Sequence, residues 1–128
     1  MASSMNHVHR GFGCVRPYLH GPTGLPDFLE KAFGAVVLER NEEGPTLLQI
    51  GDSLVWVEAG DLPPHIEPWV GSVYAYVEDV DAVHARAVEL GAKSISAPED
   101  KPYNERQAGF TDTGGNTWWV SKYLGQQS

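Results

Sequence analysis

A chain of 128 residues, 41% of them hydrophobic, suits one globular domain with a sizeable core rather than two independent ones. The formal net charge of −8 and pI near 4.9 argue against nucleic acid or an anionic membrane surface as partner, since both are held through clustered Lys and Arg. With the single cysteine Cys14 no internal disulfide is possible, so a reducing, cytoplasmic compartment is expected, with the thiol buried.

The opening MASSMNHVHRGFG is small and polar, lacks the apolar run of a signal peptide, and reads as a flexible leader over residues 1–13. His7 and His9 belong to that leader rather than to a metal site. VRPYL reads as a strand, PDFLEKAFGA as a helix closing at Gly34, and VVLER, TLLQIGD and SLVWVEA as three further strands. The stretch DLPPHIEPWVG, residues 61–71, carries three prolines and suits an extended connector, with His65 solvated. From Val73, VYAYV is again a strand. In DVDAVHARAVELGA the residues Val80, Val83, Ala87 and Leu90 recur at helical spacing, with Asp79 at the N-cap, Gly91 at the stop and His84 beside the apolar stripe. KSISA, RQAGFTD and NTWWVSKY complete the half as strands, and residues 124–128 form a tail.

The order β-α-β-β-β therefore occurs twice. Gly34-Ala35 and Gly91-Ala92 stand 57 positions apart, an offset that sets VRPYL against VYAYV. The reading is one α+β domain over residues 14–123, with module 1 at 14–60, the linker at 61–71 and module 2 at 72–123.

Two such modules resemble the vicinal oxygen chelate superfamily of glyoxalases, bleomycin resistance proteins and dioxygenases. YAYVEDVDAVHARAVELGA is similar to its second-module strand and helix, FLEKAFGA to its first helix ending, KPYNERQAGF to its Y-G-x-R stretch, and TDTGGNTWWV to its D-P-x-G-N turn and final strand. The resemblance implies curved mixed sheets with helices outside, a small-molecule cleft within, a role such as antibiotic resistance, and homodimers that join modules across chains. It also implies a metal held by up to four His or Glu side chains, because imidazole and carboxylate leave a divalent ion free to act as a Lewis acid. Matched onto this sequence, those positions are Val15, Trp56, Ser72 and Trp119. None is His or Glu, so no metal and no other cofactor is expected.

Adjacent Trp118 and Trp119 on a strand point to opposite faces. Val73, Ala75 and Val77 make the small apolar face expected under a helix, which turns Ser72, Tyr74 and Tyr76 toward the cleft. Trp118, Phe28, Phe33 and Tyr18 are expected in the core, and His20 as a polar cap on a turn. The expected ligand-binding set is Trp56, Ser72, Tyr74, Tyr76, Tyr103, Arg106 and Trp119. In it, Arg106 either anchors an anionic group at the cleft mouth or pairs with surface acids such as Glu105.

Residues 51–54 spell GDSL, a serine hydrolase block, but Ser53 leads into a strand and lacks the strand-to-helix turn that presents a nucleophile. Three function classes remain: metal-free binding or sequestration of a small planar molecule, a metal-dependent lyase, isomerase or dioxygenase with relocated ligands, and an enzyme using Tyr or Arg without metal. The missing ligands favour the first. The partners expected are a small molecule and a second copy of the chain, with no nucleic acid and no membrane.

Overall fold

The computed structural model describes residues 5–125; the first four residues of the expected leader and the last three of the tail lie outside that range. Module 1 consists of β1 (Tyr18–Gly21), α1 (Leu25–Phe33), β2 (Val36–Glu39), β3 (Thr46–Ile50) and β4 (Ser53–Ala59). Module 2 consists of β5 (Ser72–Tyr76), α2 (Val80–Glu89), β6 (Lys93–Lys101), β7 (Glu105–Thr111) and β8 (Thr117–Tyr123). A 3-10 turn, His9–Gly11, precedes them. Each module is one mixed sheet, ordered β1-β4-β3-β2 and β5-β8-β7-β6. In both, the first strand runs parallel to the last and the remaining pairs are antiparallel. Such a parallel pair needs a crossover, which the helix and the strands after it supply. The α+β class and the repeated module are those expected.

Two strands depart from their expected bounds. The first begins at Tyr18 rather than Val15: Pro17 has no N–H to give a ladder, and Arg16 folds back to donate to the carbonyls of Gly13 at 2.8 Å and Phe12 at 2.9 Å. Val15 is consequently 88% exposed ahead of the sheet, so the uniform offset of 57 does not carry Ser72 onto a strand position. Cys14 lies in the same surface segment and is exposed, not buried. At the other end of the sequence, β6 runs past Ala97 through Pro98 to Lys101, with irregular register on both sides of Ser96. Proline is tolerated there because β6 is an edge strand.

The helices start and stop as their sequences dictate. Asp79 accepts from the Ala82 N–H at 3.0 Å, a side-chain N-cap, and Gly34 ends α1 in the left-handed region at φ 71°. Arg86 of α2 donates to the Ala32 carbonyl in the last turn of α1, at 3.1 and 3.3 Å. Phe28 and Phe33 of α1 reach across to Phe110 and Trp118 of the second sheet, with the Phe33 and Trp118 rings 4.7 Å apart. One core thus joins the helix-bearing faces of both sheets: Leu19, Leu48, Val55 and Val57 from the first, Ala108, Phe110, Trp118 and Val120 from the second. By strand alternation, the opposite face of each sheet is directed away from that core. Trp118 and Phe28 are buried as expected, and Phe33 is partly buried against the core. Tyr18 is not in the core: β1 turns Leu19 and Gly21 inward, which leaves Tyr18 49% exposed on the outer face.

The turn before β8 ties the modules together. Asp112, 5% exposed, accepts from the backbone N–H of Gly114 at 2.8 Å and of Asn116 at 3.0 Å, and from the indole N–H of Trp118 at 2.9 Å. Asn116, fully buried, donates to the His20 carbonyl of β1 at 3.0 Å and accepts from the Gly71 N–H of the linker at 2.8 Å. The backbones approach so closely that a Cβ on Gly114 would lie 2.6 Å from the His20 oxygen. Asp112→Ala strands a buried indole N–H and two turn N–H groups, so it should lower unfolding stability by about 3 kcal/mol. A urea titration with a reduced midpoint and an unchanged slope is the expected result.

Candidate ligand-binding face

Alternation along β5, β7 and β8 gathers one set of side chains on the outer face of the second sheet. Trp119 stands opposite Gly109 of β7 and Tyr74 of β5. Its indole packs against the glycine so closely that an added Cβ would sit 2.4 Å from a ring carbon, so only glycine permits this pose. Trp119 is half-buried, Tyr74 and Tyr76 are exposed beside it with their rings 5.6 Å apart edge to face, and Ser72 is exposed at the start of β5.

Beneath the tyrosines runs a polar network. Tyr74 and Tyr76 donate their hydroxyls to the two carboxylate oxygens of Glu105, Tyr76 at 2.6 Å. Gln107 donates to the Tyr74 oxygen at 2.9 Å and to Ser121 at 3.2 Å, and accepts from Tyr103 at 3.2 Å. Glu105 is 7% exposed, Gln107 8% and Ser121 0%. The Glu105 hydrogen bond, with burial second, pushes the Tyr76 phenol up to about 12. Burial and then Glu105 raise Tyr74 as well. Both phenols are therefore held as neutral donors to a carboxylate.

Of the expected site residues, the structure brings together Ser72, Tyr74, Tyr76 and Trp119, with Tyr103 joined to them through Gln107. Arg106 faces the other way. It clamps Asp81 of α2 at 2.6 and 2.9 Å and Asp100 of β6 at 3.0 Å, rather than Glu105. Sequence reasoning missed Glu105 and Gln107, although the alternation in ERQAGF sets Glu105, Gln107 and Gly109 against Arg106, Ala108 and Phe110.

Trp56 lies on the outer face of the first sheet, which the chain itself covers. The His9 ring stacks on Trp56 at 6.1 Å with 17° between planes, and the Arg16 guanidinium stands 5.7 Å from the indole centroid. His9 and Arg10 pair with Glu39 at 2.6 and 2.8 Å. Arg10 first, then His9, holds that carboxyl below its ordinary value. Leu47 and Leu54, on the same face by alternation, are 0% and 1% exposed. Further along, Trp69 of the linker donates to the Tyr18 carbonyl at 2.7 Å and packs against the rings of Tyr18 and His20. Next to it a cavity of about 590 Å³ is lined by Tyr18, Glu42, Glu58 and Asp61, and Tyr18 donates to Glu58 at 2.9 Å. Within one chain Trp56 and Trp119 therefore stand on faces turned away from each other.

Among the described residues no three His, Cys, Asp or Glu side chains are grouped to hold a metal ion. Trp56 and Trp119 offer no lone pair to a cation, and Ser72 is a single weak donor, so these residues do not fit a divalent ion. No helix of the described residues is long and apolar enough to cross a membrane.

Solved structures share the architecture. TioX from Micromonospora sp. ML1 superposes with a TM-score of 0.68 at 24% identity, covering 86% of this chain and 99% of that one. The fosfomycin resistance protein FosX from Mesorhizobium loti gives 0.62 at 18% identity, over 86% and 91% of the two chains. Lactoylglutathione lyase from Agrobacterium tumefaciens gives 0.64 at 15% identity, over 89% and 96%. At these identities the likeness is one of fold. A search of curated protein sequences finds no match. Residues 26–120, from the first helix to the strand that carries both tryptophans, match the family described as the Glyoxalase/Bleomycin resistance protein/Dioxygenase superfamily, and the chain belongs to it.

Proposed function

We propose that the protein binds and sequesters a small planar organic molecule without a metal, the ring stacking on Trp119 beside Tyr74, with Tyr76 next along the strand. The observation that carries this reading is the indole of Trp119, packed against Gly109 on the face that also carries Tyr74 and Tyr76. An aromatic ring in that pose presents a broad apolar surface, and the Tyr hydroxyls and Ser72 at its border supply polar groups that orient a ligand. Donor chemistry supports metal independence, because two of the positions matched to metal ligands carry indoles. Membership of a superfamily that contains resistance proteins agrees with a sequestering role.

A single sheet face covers only one side of a ligand, whereas small-molecule sites bury most of their guest. A second copy of the chain, roofing the outer face of the second sheet, would close the site. The first sheet has less need of such a roof, since residues 9–16 and Trp69 already lie across it.

Two outcomes follow from this reading. Trp119→Ala should weaken binding of planar aromatic ligands by about 0.5–1.5 kcal/mol beyond the loss of buried area, with the thermal midpoint little changed. Tryptophan quenching by a panel of aromatic compounds measures it, and equal affinity in the variant and the parent would refute the site. Light scattering at micromolar concentration should return twice the mass of the 14.0 kDa chain, and a strictly monomeric mass would refute the closed cleft.

A further inference from the structure

The network beneath Tyr74 and Tyr76 holds a buried carboxylate to which the described residues give no counter-ion. Glu105 is 7% exposed, and its two oxygens each accept one phenol hydrogen bond. A carboxylate has room for about four donors, so acceptor capacity remains. Among the described residues no cation pairs with Glu105. Arg106 points to the helix side and clamps Asp81 and Asp100. Lys101, opposite Glu105 in register, pairs with Glu99. Lys122 stands opposite Arg106 and shares its face, away from Glu105. A buried charge is costly unless it is paired, and phenols temper that cost without neutralising it.

Resting on the reading of Trp119 as the ring platform, we infer that the ligand class is a planar ring bearing a protonated amine on a flexible arm, with the ammonium received by Glu105 among Tyr74, Tyr76 and Tyr103. The geometry sets the arm. Glu105 stands four residues along β7 from Gly109, about 13 Å of strand at roughly 3.3 Å per residue, and its side chain shortens that span by reaching back to the Tyr74 hydroxyl. Tyr76 and Tyr103 are both exposed, so each ring can offer its face to a cation. Pairing of tyrosine hydroxyl with carboxylate recurs at Tyr18 and Glu58 beside the acidic cavity of the first sheet. A formal charge of −8 also disfavours an anionic guest.

The test compares monodansylcadaverine, a fluorescent ring with an aminopentyl arm, with its N-acetylated and therefore neutral form, both titrated by dansyl emission at neutral pH. The amine should bind about ten-fold more tightly, the scale of a hydrogen bond to a buried charged group. In Glu105→Gln that preference should vanish while the acetylated probe binds as before, which also reports that the face is intact. Glu105→Asp, which keeps the charge but shortens its reach, should retain part of the preference. Trp119→Ala should weaken both probes alike. Equal binding of the two probes to the parent protein, still dependent on Trp119, would overturn the amine inference and leave the ring platform standing. An amine preference that survives Glu105→Gln would overturn the assignment to Glu105. Binding of neither probe would overturn the platform and the inference together.

Discussion

The Asp112 carboxylate is the point on which both modules depend. It closes the Thr113–Asn116 turn through two backbone N–H groups, and it takes the one hydrogen of Trp118 that the core cannot satisfy. Fixing that turn orients Asn116, which grips β1 of one module and the linker entering the other. Were the indole N–H left to seek another acceptor, Trp118 could not stay within 4.7 Å of Phe33, and the aromatic seam between α1 and the second sheet would open. A polar group buried at one turn thus decides how two apolar surfaces meet.

Repetition of topology has not produced repetition of use. Both sheets present an outer face with tryptophan and tyrosine bordered by a carboxylate, yet the chain treats the two faces differently. On the first sheet His9 and Arg16 occupy the surface of Trp56, and Trp69 packs against Tyr18. On the second, Trp119 packs against Gly109 and stays partly exposed, with Tyr74 and Tyr76 exposed along the neighbouring strand. The two modules therefore differ in how far the segments outside the sheets cover their outer faces.

Much of this was legible in the sequence. The doubled β-α-β-β-β order, both helix ends and the assignment of Trp118 to the core followed from periodicity, capping residues and strand parity. The split of Trp118 from Trp119 followed from the same alternation, which also placed Ser72, Tyr74 and Tyr76 on one face. What failed was non-local. Val15 is assigned by a uniform offset and Cys14 reads as a buried lone thiol, but Arg16 closes a turn on Gly13 and Phe12 that a strand pattern does not encode. Tyr18 reads as a core aromatic by residue type, and only its alternation with Leu19 reveals otherwise. Arg106 attracts attention as a lone cation near aromatics, whereas its partners Asp81 and Asp100 come from a helix and a neighbouring strand. Glu105 was hidden because a glutamate on a strand reads as surface. Its burial is created by two tyrosines 31 and 29 residues away.

The outer strand β6 is nine residues long, a length at which an unpaired edge would ordinarily invite another chain to continue the sheet. Its register slips on both sides of Ser96, Pro98 removes a donor, and Lys93, Glu99, Asp100 and Lys101 place charge along it. A foreign strand meets an uneven row of donors and acceptors there, so open-ended growth along the hydrogen-bonding direction stops at its first step. If the chain sequesters its ligand mole for mole, as proposed above, it must accumulate to the concentration of that ligand, and a blunted edge at β6 removes one route to aggregation at such concentrations.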